Sequence, residues 1–243
     1  MKYSALSDTG LKRDKNEDNW NIVLDADGNP GGFIIADGMG GHLAGEEASR
    51  IAVEEMSSAV LECVSRKIGI EDLKTLILKH INVINDKILN YAENNLGGLK
   101  SGTTLTAGIV LNRQLCIVHV GDSRIYRIRG EKISRLTEDH SYVAALLKGG
   151  LISSDQANHH PDRNRITRAL GFRDNYLPDI YLENILSGDI FLFCTDGLYE
   201  DMEDKEILET VLQEPRETVA KNLVEKAKDQ GGSDNITVIV AWM

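Results

Sequence analysis

The hydrophobic pattern changes its period along the chain. Between about Gly41 and Lys67, residues Ala44, Ala48, Ile51, Ala52, Met56, Ala59, Val60 and Cys63 recur three and four positions apart, the spacing that gathers side chains on one helix face. The same spacing returns from about Ile70 to Glu93, with Leu73, Ile77, Ile81, Ile84, Ile88 and Tyr91 on one side and Lys74, Asp86 and Lys87 on the others. Two long amphipathic helices are therefore predicted, each with one face in a core.

After Gly97-Gly98 the pattern shortens. Runs at Thr103 to Leu111, Leu115 to Val120, Ile125 to Ile128 and Ile133 to Leu136 are separated by Asn112-Arg113, Asp122-Ser123 and Gly130-Glu131, which reads as an antiparallel meander. Further strands are expected at Lys2 to Ser7, Asn19 to Leu24, Gly32 to Ala36, Asp189 to Thr195 and Asn235 to Ala241. Two helices fill the remaining gap, the last running from Pro215 to a stop at Gly231-Gly232 with Val219, Leu223, Val224 and Ala227 inward.

Strands cluster without a regular strand-helix-strand alternation, so the class is α+β, with antiparallel sheets covered by helices. No polar low-complexity stretch divides the 243 residues, and one domain spanning 1–243 is expected. The segment at about 140–178 is the least regular and reads as a mobile flap over a site.

Composition narrows the function. With 27 Lys and Arg against 38 Asp and Glu, the net charge of −11 repels phosphate backbones and argues against a nucleic-acid partner. No apolar run suits a signal peptide or a membrane helix, so a cytoplasmic protein without a membrane partner is expected, as a monomer. Cys63, Cys116 and Cys194 sit among apolar neighbours without a CxxC spacing and read as buried thiols.

The candidate chemistry lies in acidic residues beside Gly or Asn at the ends of apolar runs: Glu17-Asp18, Asp37-Gly38, Asp122, Asp196-Gly197 and Asp234-Asn235. Each alone is ordinary turn chemistry. Together, brought to one end of stacked sheets, they would supply the oxygen ligands that a hard divalent cation takes. His42 follows Asp37 by five residues through a glycine-rich turn and is placed to serve as a general acid. Arg13 precedes this series and suits a grip on phosphate.

Other phosphate chemistries fail on the residues. A cysteine phosphatase needs Arg six positions after its Cys, where Cys116 has Asp122 and Cys194 has Glu200. No GxxxxGK[ST] loop is present. The stretch Asp25 to Asn29 resembles neither an aspartyl-phosphate site nor a calcium loop, because Pro30 and Ala36 stand where that loop needs Gly and Glu.

Eight segments resemble, in order, the PP2C (PPM) family of metal-dependent Ser/Thr phosphatases, in particular its stand-alone bacterial members. They are Arg13 to Asp18, Asp37 to His42, Ser101 to Thr104, Gly121 to Arg124, Leu136 to His140, Ile166 to Gly171, Thr195 to Gly197 and Ser233 to Asn235. The resemblance implies a four-layer α-β-β-α fold, a central sandwich of two antiparallel sheets flanked by helical pairs, with two Mn²⁺ or Mg²⁺ ions at one end. It implies that Asp37 bridges both ions, that Glu17 and the Gly38 carbonyl serve one, and that Asp196 and Asp234 serve the other. Asp122, with Asp196, would form a third position. Asp18 and Asn235 would support the ligands from behind, Arg13 would hold phosphate, and His42 would protonate the leaving oxygen. The implied reaction is hydrolysis of phosphoserine and phosphothreonine by metal-activated water without a phosphoenzyme. Phosphoproteins are the implied substrates and a cognate Ser/Thr kinase the opposing partner. A catalytically silent phosphatase-like binding protein is the alternative, and it would have no need of the full carboxylate set.

Overall fold

The computed structural model describes residues 1–40, 44–66 and 68–243. The chain begins with β1 (Lys2–Asp8), β2 (Asp18–Leu24) and β3 (Pro30–Met39), followed by α1 (Ala44–Arg66) and α2 (Ile70–Asn95). Next come β4 (Gly102–Thr103), β5 (Leu105–Leu111), β6 (Gln114–Val120), β7 (Arg124–Arg129) and β8 (Lys132–Arg135). Two short helices, α3 (Tyr142–Lys148) and α4 (Ser154–Asn158), precede β9 (Asp179–Asn184) and β10 (Ile190–Cys194). The chain closes with α5 (Asp196–Tyr199), α6 (Asp204–Gln213), α7 (Val219–Gln230) and β11 (Ile236–Trp242).

The strands form two antiparallel sheets, ordered β1-β11-β10-β7-β8 and β2-β3-β5-β6-β9, with β4 paired to β3. Strand alternation explains the near-continuous apolar runs, because both faces of each sheet are covered. Phe33 and Ile35 on β3, Leu115 and Ile117 on β6, Phe191 and Phe193 on β10, and Ile239 on β11 meet between the sheets. Their neighbours point outward: Ile34 and Ala36 meet α1 and α2 on one side, while Leu192, Val238 and Val240 meet α6 and α7 on the other. Three apolar layers thus separate four structural layers, the α-β-β-α order expected.

The helical stripes lie where their spacing puts them, Ala48, Ala52, Met56 and Val60 packing with Ile77, Ile81 and Ile84 in one fully buried cluster. Ile51 lies at its margin, and Tyr91, at the end of the α2 stripe, is partly exposed.

The expected meander is corrected. β5 and β6 pair in one sheet, but β7 leaves it to pair with β10 and β8 in the other. Asp122-Ser123 is therefore a crossing between sheets and not a hairpin turn. The apolar pattern was compatible with both, since Ile117 and Ile125 face the same central layer from opposite sheets. The run Thr103 to Leu111 also breaks at Thr104, whose N–H donates to the Asp37 carbonyl at 2.9 Å. β9 is an addition to the expected strands: on a sheet edge and only partly buried, it offers just three apolar residues, Ile180, Tyr181 and Leu182, to the core. α7 starts at Val219, since Pro215 sits in a preceding turn whose carbonyl accepts the Thr218 N–H.

The 140–178 segment holds α3 and α4; one short antiparallel bridge, Ser141 to Ile166, closes it on itself, and another, Thr103 to Leu170, ties it to β4. Among the described residues, no helix is long and apolar enough to cross a membrane.

Candidate metal and active site

Register brings the acidic segments to one end of the sandwich. Asp18 at the start of β2 lies directly opposite Asp37 near the end of β3. Thr195, just past β10, donates its N–H to the Thr237 carbonyl of β11, which levels Asp196 with Asp234 at the same edge. The Asp122 crossing joins them through Thr104: its hydroxyl accepts the Asp37 N–H at 2.8 Å and bonds the Ser123 hydroxyl at 2.8 Å.

Close approach is possible because small residues stand between the segments. A Cβ on Gly38 would lie 2.2 Å from the Gly45 carbonyl oxygen, and one on Gly45 would lie 2.6 Å from Glu17 Oε2. Both positions need glycine so that the Glu17 carboxylate, the β3 end and the first turn of α1 can share one space. Ser49 of α1 adds a hydroxyl bond to the Glu17 carbonyl at 2.5 Å.

The carboxylates repel one another in low-dielectric surroundings. Asp37 is held well above the ordinary aspartate range, first by burial and then by the charges of Asp196, Asp18, Asp122 and Asp234. Asp196 is raised in the same way by burial, then by Asp122 and Asp234. Burial pushes Asp18 up to about 7, against the opposing hydroxyl bonds of Thr237 and Thr195. Asp122 also rises to about 7 through burial and the nearby Asp139 charge. Burial raises Glu17 too, with Arg13 opposing.

Hydrogen bonding is asymmetric. Asp18 Oδ2 accepts from Thr195 at 2.8 Å and Thr237 at 2.6 Å, whereas Oδ1 of Asp18, Asp122 and Asp196 is buried without a hydrogen-bond partner among the described residues. An orphaned carboxylate oxygen costs free energy unless a cation or donor meets it. Three such oxygens beside Asp37 and Glu17 form an oxygen-only donor set of the kind that Mg²⁺ and Mn²⁺ take, so the residues fit a hard divalent ion. As placed, no three His, Cys, Asp or Glu side chains among the described residues stand together closely enough to hold one ion, so the fit rests on the chemistry of the donor set and its orphaned oxygens.

Arg13 reaches this cluster from the loop between β1 and β2, its Nη2 donating to Asp234 Oδ2 at 2.7 Å with the side chain about half exposed. That bond raises the Arg13 pKa further, supported by the charges of Asp196 and Asp37. Asn235 holds the loop from behind: its Oδ1 accepts the Glu17 N–H, and its Nδ2 donates to the carbonyls of Thr9 and Lys15. An open cleft of about 810 Å³ runs beside Asp122 between the 140–178 segment and the residues after α5, with Arg163, Glu200 and Ser233 on its walls.

The expected site residues Arg13, Glu17, Asp18, Asp37, Gly38, Asp122, Asp196, Asp234 and Asn235 thus come together. His42 lies outside the described residues. Thr104 and Thr195 lie within the family-like segments without a sequence signal for their supporting roles, and Gly45, Thr237 and Tyr199 lie outside those segments altogether. Tyr199 donates its hydroxyl to the Asp122 carbonyl at 3.0 Å, under the Arg124 guanidinium 3.4 Å from its ring centre. Only register could reveal these residues.

A sandwich of this layering with oxygen donors at one end is the arrangement that the resemblance to metal-dependent phosphatases implied. The chain belongs to the protein phosphatase 2C family, whose pattern matches residues 12–229. It is 38% identical over 242 residues to a serine/threonine phosphatase of Listeria welshimeri, covering 99% of this chain and 95% of that one. The serine/threonine phosphatase of S. agalactiae superposes with a TM-score of 0.91 at 31% identity, over 100% of this chain and 99% of that one. The catalytic domain of the phosphatase PstP, solved with two manganese ions, superposes at 0.84 with 34% identity, over 98% and 96% of the two chains.

Proposed function

We propose that this chain hydrolyses phosphoserine and phosphothreonine in phosphoproteins with metal-activated water and without a phosphoenzyme. The observation that carries this reading is the convergence of buried, unpartnered carboxylate oxygens from sequence-distant segments beside an exposed guanidinium. Asp37, Glu17, the Gly38 carbonyl, Asp196 and Asp234 would hold two ions, with Asp122 available to a third. When bound, Mn²⁺ or Mg²⁺ lowers the pKa of water in the site and offsets charge on the phosphoryl oxygens.

The chain's own residues do the rest. Asp18, tied through Oδ2 to two threonines, presents only Oδ1 to the site and so orients what binds there. Arg13 offers a guanidinium to the phosphate dianion while Asp234 fixes its direction. His42, on its sequence position, supplies the proton to the leaving serine or threonine oxygen. The expected substrates are phosphoproteins, with a cognate Ser/Thr kinase as the opposing enzyme in the cytoplasm.

The test is phosphate release from a phosphothreonine peptide by metal-stripped protein, with and without added Mn²⁺. Release that requires Mn²⁺ is expected. Equal release in excess chelator, or none under either condition, would overturn the reading.

A further inference from the structure

The crossing that carries Asp122 is an unusual piece of backbone. Gly121 sits at φ +109°, and a Cβ there would lie 2.5 Å from Thr104 Cγ2, so neither its conformation nor its space admits a side chain. Backbone of this kind persists only when its surroundings hold it.

His140 supplies that hold. Its Nδ1 accepts the Gly121 N–H at 3.0 Å, and its own N–H donates to the Gly121 carbonyl at 2.8 Å, so one residue satisfies both polar groups of Gly121. Because Nδ1 accepts, the ring proton lies on Nε2, which donates to Asp179 Oδ2 at 3.1 Å. Asp179 Oδ1 in turn accepts from Arg168 at 2.7 Å. The buried ring stacks on His119 with centres 4.7 Å apart, and His119 is fixed by Thr106 Oγ1 and the Glu138 carbonyl. The imidazole is therefore oriented on every side, with one nitrogen aimed at the residue before Asp122.

We propose that His140 is a positioning residue for Asp122, its Nδ1 fixing the Gly121-Asp122 turn and linking it through Asp179 to Arg168 of the 140–178 segment. The link to metal rests on the function proposed above, but the link to the turn does not. Tyr199 also braces Asp122, its hydroxyl donating to the Asp122 carbonyl beneath the guanidinium of Arg124, which is paired with Asp139. His140 is the brace that acts on Gly121 itself.

The test compares His140→Ala, His140→Asn and Asp122→Asn in the full chain, by amide hydrogen exchange at Gly121 and by Mn²⁺ titration calorimetry. Asn can present its Oδ1 near the position of the imidazole Nδ1, so it should rescue where Ala does not. His140→Ala is expected to speed exchange at Gly121 and to weaken the Mn²⁺ binding that Asp122→Asn also weakens, by about 10–100-fold, with His140→Asn close to wild type. Should His140→Ala not fold, Asp179→Ala at a half-exposed position frees the Nε2 proton and should speed Gly121 exchange severalfold. Wild-type exchange in His140→Ala, or an Asn variant as loose as the Ala variant, would overturn the proposal. Wild-type protein that binds no Mn²⁺ would instead sink the proposed function, while the exchange comparison would still decide the role of His140.

Discussion

The side-chain oxygen of Asn235 accepts the backbone N–H of Glu17 at 2.8 Å across 218 residues of chain. The two ends of the protein are thereby joined at the carboxylate cluster, and the amide nitrogen of Asn235 ties in the loop bearing Arg13 through the Lys15 carbonyl.

Asn235→Ala removes three hydrogen bonds at a buried position. Leaving such groups unpaired costs about 1–3 kcal/mol, and denaturant unfolding should show a loss of that order. Turnover at saturating Mn²⁺ should fall by about 10–100-fold because Glu17 and Arg13 lose their common anchor. Unchanged turnover would show that the loop is placed by other contacts.

Arg13→Ala should act on substrate more than on fold. The side chain is half exposed and its one ion-pair partner among the described residues is Asp234, so the melting temperature should barely move. KM for a phosphothreonine peptide should rise about tenfold or more, the scale of a charged hydrogen bond. Arg13→Lys should recover part of that loss, since it restores the charge without the planar fork.

Stability of the metal-free protein should fall as pH rises. Burial lifts Asp18 and Asp122 to about 7, so below the ordinary aspartate range near ~4 both folded and unfolded chains are protonated and the stabilising difference is fully present. It is lost as pH climbs through the folded value, because the buried groups must then ionise among like charges. Calorimetric melting in chelator should therefore drop between pH 5 and pH 8, and saturating Mn²⁺ should remove the drop. A melting temperature that rises with pH in chelator would contradict these shifts.

His42→Ala should slow hydrolysis of alkyl phosphates and phosphopeptides more than that of an activated aryl phosphate, whose leaving group needs no proton. Steady-state rates on the two substrate types measure the difference, and equal losses would remove His42 from the general-acid role.

The layers were legible because periodicity reports burial directly: the α1 and α2 stripes and the doubly buried β3, β6, β10 and β11 stand where apolar spacing put them. Pairing was not legible. Nothing in Leu115 to Ile128 distinguishes a hairpin from a crossing between sheets, since both bury Ile117 and Ile125 in the same layer. β9 is a sheet-edge strand whose three apolar residues, Ile180, Tyr181 and Leu182, pack only partly buried against the core, too short a run to mark a strand. The acidic residues could be recognised by type and motif, but their supports could not. Thr237 looks like any β-branched strand residue until register sets its hydroxyl 2.6 Å from Asp18.

Asp37 is coupled by charge to Asp18, Asp122, Asp196 and Asp234 at once, so it gives the most direct measurement. Calorimetric titration of Mn²⁺ into metal-free wild type and Asp37→Asn, both checked for folding by melting, should show two or more ions per wild-type chain and loss of that paired binding in the variant. Binding of the same number of ions with the same affinity by Asp37→Asn would contradict a centre built around Asp37.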